Sequence, residues 1–152
     1  MRVDSDELTY HIHIYIRYKI EKALINNDIT VNDLPDIWNT EYKNLLGITP
    51  KNYKEGCLQD IHWFIGCFGY FPTYSLGLII AAQIMHHANK SIVNLEEKIE
   101  LGKFQAFNDF LHKNIHTFAS LLPNSNTLIR SRFKEDIDDI YYQKYIKNKY
   151  GI

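Results

Sequence analysis

A short polar stretch, residues 56–63, concentrates side chains that are suited to acid–base chemistry. Gln59, Asp60 and His62 put an amide, a carboxylate and an imidazole next to Trp63. A carboxylate that pairs with an imidazole fixes the tautomer of the ring and raises its basicity, so Asp60 and His62 are candidates for such a unit. The alternative, which composition alone favours, is that Asp60 caps a helix while His62 faces the core.

A second candidate is the pair Tyr70 and Tyr74, which lies in a glycine-rich, aromatic segment. Phenol hydroxyls that are held in place beforehand can donate hydrogen bonds to the negative charge that develops on a carbonyl oxygen. Gly66 and Gly69 interrupt regular helix here and leave room for such an arrangement. Without further information, the residues alone favour ordinary aromatic packing.

The histidines suggest metal binding only weakly. His112 and His116 lie four residues apart on a predicted helix, so both imidazoles share one face. The catalytic zinc version of this motif needs a Glu directly after the first His as general base, and Lys113 stands there instead. We therefore interpret the pair as surface or cap histidines. Two other pairs have spacings that cannot chelate one ion on a helix, His11 with His13 and His86 with His87. We expect no metal site within the chain.

Composition excludes several classes of function. The formal net charge is -1 and no basic stripe is present, which argues against nucleic acid as a partner. The longest apolar stretch, residues 76–85, contains Gln83 and is too short to cross a bilayer. Cys57 and Cys67 are ten residues apart and form no metal-type pair. Since no secretory signal precedes them, we expect a reduced, cytoplasmic setting.

The elements that would position these residues are all helical. Apolar residues recur at spacings of three and four after Asp6, which predicts a helix that ends at residues 26–28 and carries Leu8 and Ile16 on its apolar face. A second helix is predicted from Asn32 or Asp33 through Leu46, with Pro35 in its first turn. An exposed loop should cover residues 51–56. Further helices are predicted over residues 74–88, 104–119 and 136–149. Another is predicted to span residues 95–98 and to continue past residue 102. No strand-like alternation occurs, so the sequence predicts an all-α helical bundle and one unit, 1–152, without an internal boundary.

Two motifs carry a resemblance to a known family. The pattern Gly56-x-x-Gln59-Asp60-x-His62-Trp63 resembles the G-x-x-Q-D-x-H-W motif of the Taq/Pfu-type metallocarboxypeptidases. Upstream, Arg2-x-x-Ser5-Asp6 resembles the I-R-x-x-A-D motif of that family, with Met1 in place of Ile and Ser5 in place of Ala. Other segments match in order and spacing, so the resemblance covers essentially the whole chain: residues 6–21, 46–50, 68–77, 114–116 and 145–150.

The resemblance implies a largely helical, groove-shaped peptidase that removes residues from the C-terminus of peptides. In such enzymes a water bound to zinc, or to another divalent metal, attacks the scissile carbonyl, and a Glu is the base. The HExxH motif that supplies this Glu and two metal ligands precedes the segment seen here and is absent from this chain. The chain therefore resembles the last third of a family member.

Three hypotheses about function follow. The chain is a truncated or split gene product that is inactive alone, or a half-enzyme that complements a separate N-terminal chain, or a helical binding module without catalysis. Exposed apolar surface along the face of Leu8 and Ile16 would suit the first two hypotheses.

The resemblance also implies roles for individual residues. Arg2 and Arg17 are candidates for binding the terminal carboxylate of a peptide substrate, which a guanidinium fork matches. For Arg17, spacing leaves open an ion pair with Glu21 within the helix. His62, Tyr70 and Tyr74 are candidates for contacting the tetrahedral intermediate. Gln59 and Asp60 would support these three residues from behind.

Overall fold

The computed structural model describes residues 2–152; Met1, the first position of the upstream motif, lies outside the described residues. All regular secondary structure of the described chain is helical, with no β-strand, which confirms the predicted all-α class. Its α-helices are α1 (Glu7–Ile25), α2 (Leu34–Leu46), α3 (Pro72–Ser91), α4 (Leu95–Glu100), α5 (Gln105–Leu111), α6 (Ser125–Phe133) and α7 (Ile140–Tyr150). Among these residues, no helix combines the length and apolar character needed to cross a membrane.

The described chain divides into two compact units, one ending at Leu76 and the other comprising Gly77–Ile152. The boundary falls within α3. The expectation of one unit without an internal boundary stays a prediction.

Helix α1 begins where the sequence predicts because Asp6 caps it. Asp6 has an extended backbone conformation and its Oδ1 accepts a hydrogen bond from the amide of Thr9 at 2.9 Å. This bond satisfies one of the amide groups that the first helical turn leaves without a partner. The buried face of α1 carries three isoleucines together with three polar residues: Ile14, Ile16 and Ile20, and His13, Arg17 and Glu21.

The core of the first unit lies between α1 and α2. Trp38 and Tyr42 of α2 stack at 5.0 Å and pack, with Leu34, against Ile16 and Ile20. Gly47 ends α2 in a left-handed conformation with φ 71°, which glycine adopts without the steric penalty of a Cβ atom.

The predicted exposed face of α1 is partly wrong. Ile16 is fully buried in the core, whereas Leu8 and Tyr15 are exposed. Two polar residues, His13 and Arg17, are instead buried on this helix. The exposed apolar edge of α1 is therefore formed by Leu8, Tyr15 and residues further along the helix, and it excludes Ile16.

A glycine-rich connection leads from residue 56 to α3. A short 3₁₀ helix, Trp63–Ile65, ends at Gly66, and both Gly66 and Gly69 have positive φ angles, 77° and 78°. Phe71 is buried directly after this turn, and α3 starts at Pro72. The predicted break in regular helix is thus present, although α3 begins two residues earlier than the sequence indicated.

The second unit differs from the sequence-based expectation in one additional helix and in several helix boundaries. Helix α6 was not predicted; Asn124 caps it by accepting a hydrogen bond from the amide of Thr127 at 2.9 Å. Helix α4 ends at Glu100 instead of continuing past Gly102, because Gly102 turns the chain with φ 69°. After α5 the chain continues as a π-helical segment, His112–His116.

Candidate functional site

The predicted site residues are held together by one buried ion cluster in the first unit. Arg2 donates hydrogen bonds from Nε and Nη2 to Asp60 Oδ1, at 3.1 and 2.8 Å. Arg17 donates from Nε to Asp60 Oδ2 at 2.7 Å. Arg17 Nη2 also lies 2.7 Å from Oδ2, as an ion-pair contact without the alignment of a hydrogen bond. One carboxylate therefore joins two guanidinium groups that are far apart in the sequence.

Burial makes this cluster unusual. The side chains of Arg2, Arg17 and Asp60 are 8%, 0% and 11% exposed. Burial by itself opposes ionisation of Asp60, but Arg17 and Arg2 outweigh it and hold the pKa of the carboxyl below its usual value. The carboxylate is thus charged at neutral pH and fixed by two cations.

Arg17 is engaged on all sides. Its Nη1 donates to the carbonyl oxygen of His13 and to the hydroxyl of Tyr42, each at 2.8 Å, and its guanidinium lies 4.8 Å from the ring of Trp38. The ion pair with Glu21 that the spacing allowed is not formed. Instead, Glu21 Oε1 accepts a hydrogen bond from the amide of Gly69 and fixes the turn that precedes Tyr70.

Arg2 retains donor capacity. Besides its bonds to Asp60, Nη1 donates to the Tyr10 hydroxyl at 2.9 Å, and Gln59 Oε1 accepts from the Arg2 amide at 3.2 Å. A guanidinium carries five N–H groups, so one N–H on each Nη nitrogen remains for another acceptor. The guanidinium lies 4.8 Å from the ring of Tyr74.

His62 pairs with a tyrosine and not with Asp60. Its Nε2 is hydrogen-bonded to the Tyr74 hydroxyl at 2.9 Å. Both oxygens of Asp60 are taken by arginines, so the proposed carboxylate–imidazole unit is not formed. The His62 ring packs against Phe71 at 4.5 Å and Tyr70 at 5.6 Å, and Tyr70 itself is exposed.

The surroundings of His62 favour one tautomer. Its Nδ1 is buried without a hydrogen-bond partner. A buried N–H without an acceptor is rarer in proteins than an under-used acceptor, so we assign the proton to Nε2. The oxygen of Tyr74 then accepts from His62, and the Tyr74 hydroxyl proton is free to donate to a ligand.

All seven predicted site residues therefore belong to one contiguous network. Arg2 contacts Asp60 and Gln59, and Asp60 also binds Arg17. Arg2 further contacts the ring of Tyr74, which is bonded to His62, and His62 packs against Tyr70. Three contributors were missed, namely Tyr10, His13 and Tyr42. His13 Nδ1 is hydrogen-bonded to the Tyr42 hydroxyl at 3.0 Å. Tyr10 and His13 lie in the segment 6–21 that resembles the family, and His13 is also four residues before Arg17, which places both on one helical face.

Metal ligands are a separate question. Within residues 2–152, no three His, Cys, Asp or Glu side chains lie close enough together to hold a metal ion. The residues present therefore do not fit the metal that the resemblance implies.

Comparison with known proteins identifies the family. The family profile described as Carboxypeptidase Taq (M32) metallopeptidase matches residues 1–150. Thermostable carboxypeptidase 1 of Pyrococcus furiosus is 40% identical over 150 residues, and Carboxypeptidase 1 of Bacillus subtilis is 40% identical over 151 residues. Each match covers 99% of this chain and 30% of the relative.

The solved structures agree with the sequence matches. Metallocarboxypeptidase 1 of Trypanosoma cruzi superposes with a TM-score of 0.92 at 35% identity, covering 100% of this chain and 32% of that structure. The chain thus spans about 30% of the length of the curated relatives it matches, and it corresponds to their C-terminal portion. The chain belongs to the carboxypeptidase Taq (M32) family of metallopeptidases.

Proposed function

We propose that this chain supplies the substrate-side part of a metal-dependent carboxypeptidase and binds the C-terminal carboxylate of a peptide. The observation that supports this most directly is Arg2, which is anchored by Asp60 and still has one N–H free on each Nη nitrogen. Two adjacent N–H groups match the two oxygens of a carboxylate, and an arginine that is already fixed loses little entropy on binding it.

Arg17 acts on the substrate indirectly in this proposal. Its side chain is fully buried and bound by Asp60, His13 and Tyr42, so it has no surface to offer a peptide. It neutralises and orients Asp60, which in turn orients Arg2. Gln59 supports the same residue by accepting from the Arg2 amide, while its Nε2 donates to two backbone carbonyl oxygens.

His62 and the two tyrosines are proposed to bind the oxygen that becomes negative during peptide hydrolysis. The Tyr74 hydroxyl, held by His62, has its proton free, and the Tyr74 ring lies 4.8 Å from the Arg2 guanidinium. Preorganised donors of this kind stabilise an oxyanion more than the neutral carbonyl that precedes it. Tyr70 lies against the rings of His62 and Tyr74 and is exposed, which suits contact with a substrate side chain.

The chain is proposed to be inactive alone. A divalent metal, zinc in this proposal, would supply the activated water in the intact enzyme, and its ligands would lie in the preceding region or in a separate N-terminal chain. Cys57 and Cys67 are both free thiols, which supports a reducing, cytoplasmic setting.

A chimera tests this function. The corresponding segment of the Bacillus subtilis relative is replaced by this chain, and release of C-terminal residues from a peptide is measured with and without a chelator. We expect chelator-sensitive activity from the chimera and none from the isolated chain. Arg2→Lys should lower kcat/KM of the chimera by roughly a hundredfold, because lysine cannot form the two-pronged contact.

Arg130→Lys is the matched control, because Arg130 is an exposed arginine of the second unit and should leave the rate unchanged. Circular dichroism establishes that both variants fold. Chelator-sensitive hydrolysis by the isolated chain, or equal rates for the two variants, would contradict the proposal.

A further inference from the structure

The second unit contains a pocket that the proposed function does not use. It has a volume of about 440 Å³ and lies between the C-terminal part of α3, helix α5 with the following π-helical segment, and α6. Volumes of this size are typical of sites for small organic ligands. Its lining combines an apolar floor with three charged side chains at the rim.

Two cations of this pocket lack an anionic partner. Lys113 is exposed and forms no ion pair with any described residue. Arg132 is partly buried; its Nη2 donates to Asn114 Oδ1 at 3.3 Å, and its Nε is buried without an acceptor. A buried donor without a partner is unfavourable, so an acceptor that reaches Arg132 would gain free energy on binding.

The orientation of Arg132 is fixed before any ligand arrives. Asn114 is itself held, because its Nδ2 donates to the carbonyl oxygen of Phe110 at 2.9 Å. The Arg132 guanidinium lies 4.3 Å from the ring centre of Phe118, so it is stacked as well as hydrogen-bonded. A preorganised guanidinium suits a planar carboxylate.

The floor of the pocket is aromatic. Phe133 stacks with Phe110 at 6.3 Å and with His87 at 4.2 Å. His87 already has an anionic neighbour, because its Nε2 lies 2.6 Å from Glu135 Oε1. Asp109 is the one carboxylate of the lining, and it accepts a hydrogen bond from Gln105 at 2.8 Å.

We propose that this pocket binds a small carboxylate that carries an aromatic or other apolar group. The carboxylate pairs with Arg132 and Lys113, and the apolar group packs on Phe110 and Phe133. Two sources share this chemistry, a free aromatic amino acid and a simple organic acid. They differ in the ammonium group, which Asp109 would favour.

Calorimetric titration of the full 152-residue chain tests the site. The probes are phenylpropanoate, its uncharged amide phenylpropanamide, and phenylalanine. We expect saturable binding of phenylpropanoate and at least about tenfold weaker binding of the amide, because only the carboxylate pairs with two cations. If phenylalanine binds more tightly, the better ligand is the amino acid. If phenylpropanoate binds more tightly, the better ligand is the simple organic acid. Either result supports the site.

Variants assign the contacts. Arg132→Gln and Lys113→Gln should each weaken phenylpropanoate about five- to tenfold. The matched controls Arg130→Gln and Lys103→Gln, which change exposed cations outside the pocket, should leave binding unaltered. Lys113 is exposed, so its replacement keeps the test valid even where Arg132→Gln unfolds the chain. Equal binding of acid and amide, no saturable binding in the millimolar range, or no difference between Lys113→Gln and Lys103→Gln would overturn the proposal.

Discussion

Each unit contains an arginine–aspartate contact of similar length in a different environment. In the first unit, Arg2 Nη2 lies 2.8 Å from Asp60, and the two side chains are 8% and 11% exposed. In the second unit, Arg130 donates from Nε and Nη2 to Asp136, both at 2.7 Å, with exposures of 65% and 56%. The distances alone would rank the two contacts as equal.

Burial makes them unequal. Water replaces the partner of an exposed ion at little cost, and salt screens the attraction. A buried ion that loses its partner stays uncompensated, which is strongly unfavourable. The cluster of Asp60, Arg2 and Arg17 must therefore remain complete, whereas the pair of Arg130 and Asp136 can be broken.

This difference bears on function. The buried face of α1 carries Arg17, His13 and Glu21 where apolar residues would pack at lower cost. The bonds of these residues run to Asp60, Tyr42 and the amide of Gly69. We interpret the polar face as the support that holds Arg2 and the turn before Tyr70 in place.

The largest expected effect comes from removing the charge of Asp60. Asp60→Asn keeps the size of the side chain but leaves two buried guanidinium groups without a counter-charge, and we expect it to lower the free energy of unfolding by roughly 3–5 kcal/mol. Urea unfolding followed by tryptophan fluorescence measures this directly, because Trp38 and Trp63 both lie in the first unit.

The matched control is Asp136→Asn, which breaks the exposed contact. Circular dichroism, which reports on both units, should show no measurable change in its unfolding midpoint. If the two substitutions destabilise the chain equally, the contrast between buried and exposed contacts is wrong.

Acidification should reveal the second largest effect, through His13. Burial first, and the charge of Arg17 second, lower the pKa of His13 from 6.5 to about 4. Between these values the unfolded chain binds a proton that the folded chain does not, so the free energy of unfolding falls as the pH drops through this window. The free energy of unfolding should have fallen by about 3 kcal/mol at pH 4. Above about pH 6.5, protonation of His13 should not change the free energy of unfolding.

His13→Asn should flatten the pH dependence within this window, while His116→Gln, a change of an exposed histidine, should leave the slope as it is. Urea titrations at a series of pH values measure both slopes. An unchanged slope in His13→Asn would show that His13 is not held neutral. The lowered pKa of Asp60 acts separately, since the stability that it contributes is lost only as the pH falls below the usual aspartate range.

Local chemistry explains which parts of the fold could be predicted from the sequence. The start of α1 depends on Asp6 and Thr9, three residues apart, and the end of α2 depends on Gly47 alone. Signals of this kind are complete within a few residues. The cap at Asn124 is equally local, and α6 could have been predicted from it.

Pairing within the site is different, because it depends on which distant residues meet. Asp60 is two positions from His62, yet it binds Arg2 and Arg17, which are 58 and 43 positions away. Two guanidinium charges outcompete a neighbouring imidazole for the carboxylate. The motifs therefore named residues that the structure brings into one network, whereas the bonds within that network required the tertiary structure; the roles of these residues in a site stay a prediction.

The smallest expected effect concerns single hydroxyl groups in the two environments. Tyr42 is buried, and its hydroxyl accepts from Arg17 and is bonded to His13, so Tyr42→Phe should lower the free energy of unfolding by about 1–2 kcal/mol. The Tyr141 hydroxyl donates to Glu135 at 2.8 Å beside solvent, where water can replace it, so Tyr141→Phe should cost below about 1 kcal/mol.

A double-mutant cycle of Tyr42→Phe with His13→Asn tests whether these residues form one network. Because the two side chains share a bond and both contact Arg17, their effects should fall short of additivity by at least about 0.5 kcal/mol. The same cycle between Tyr141→Phe and His13→Asn, residues of different units, should be additive. Additivity in the first cycle would mean that the polar face of α1 is a set of independent contacts and not a connected support for Arg2.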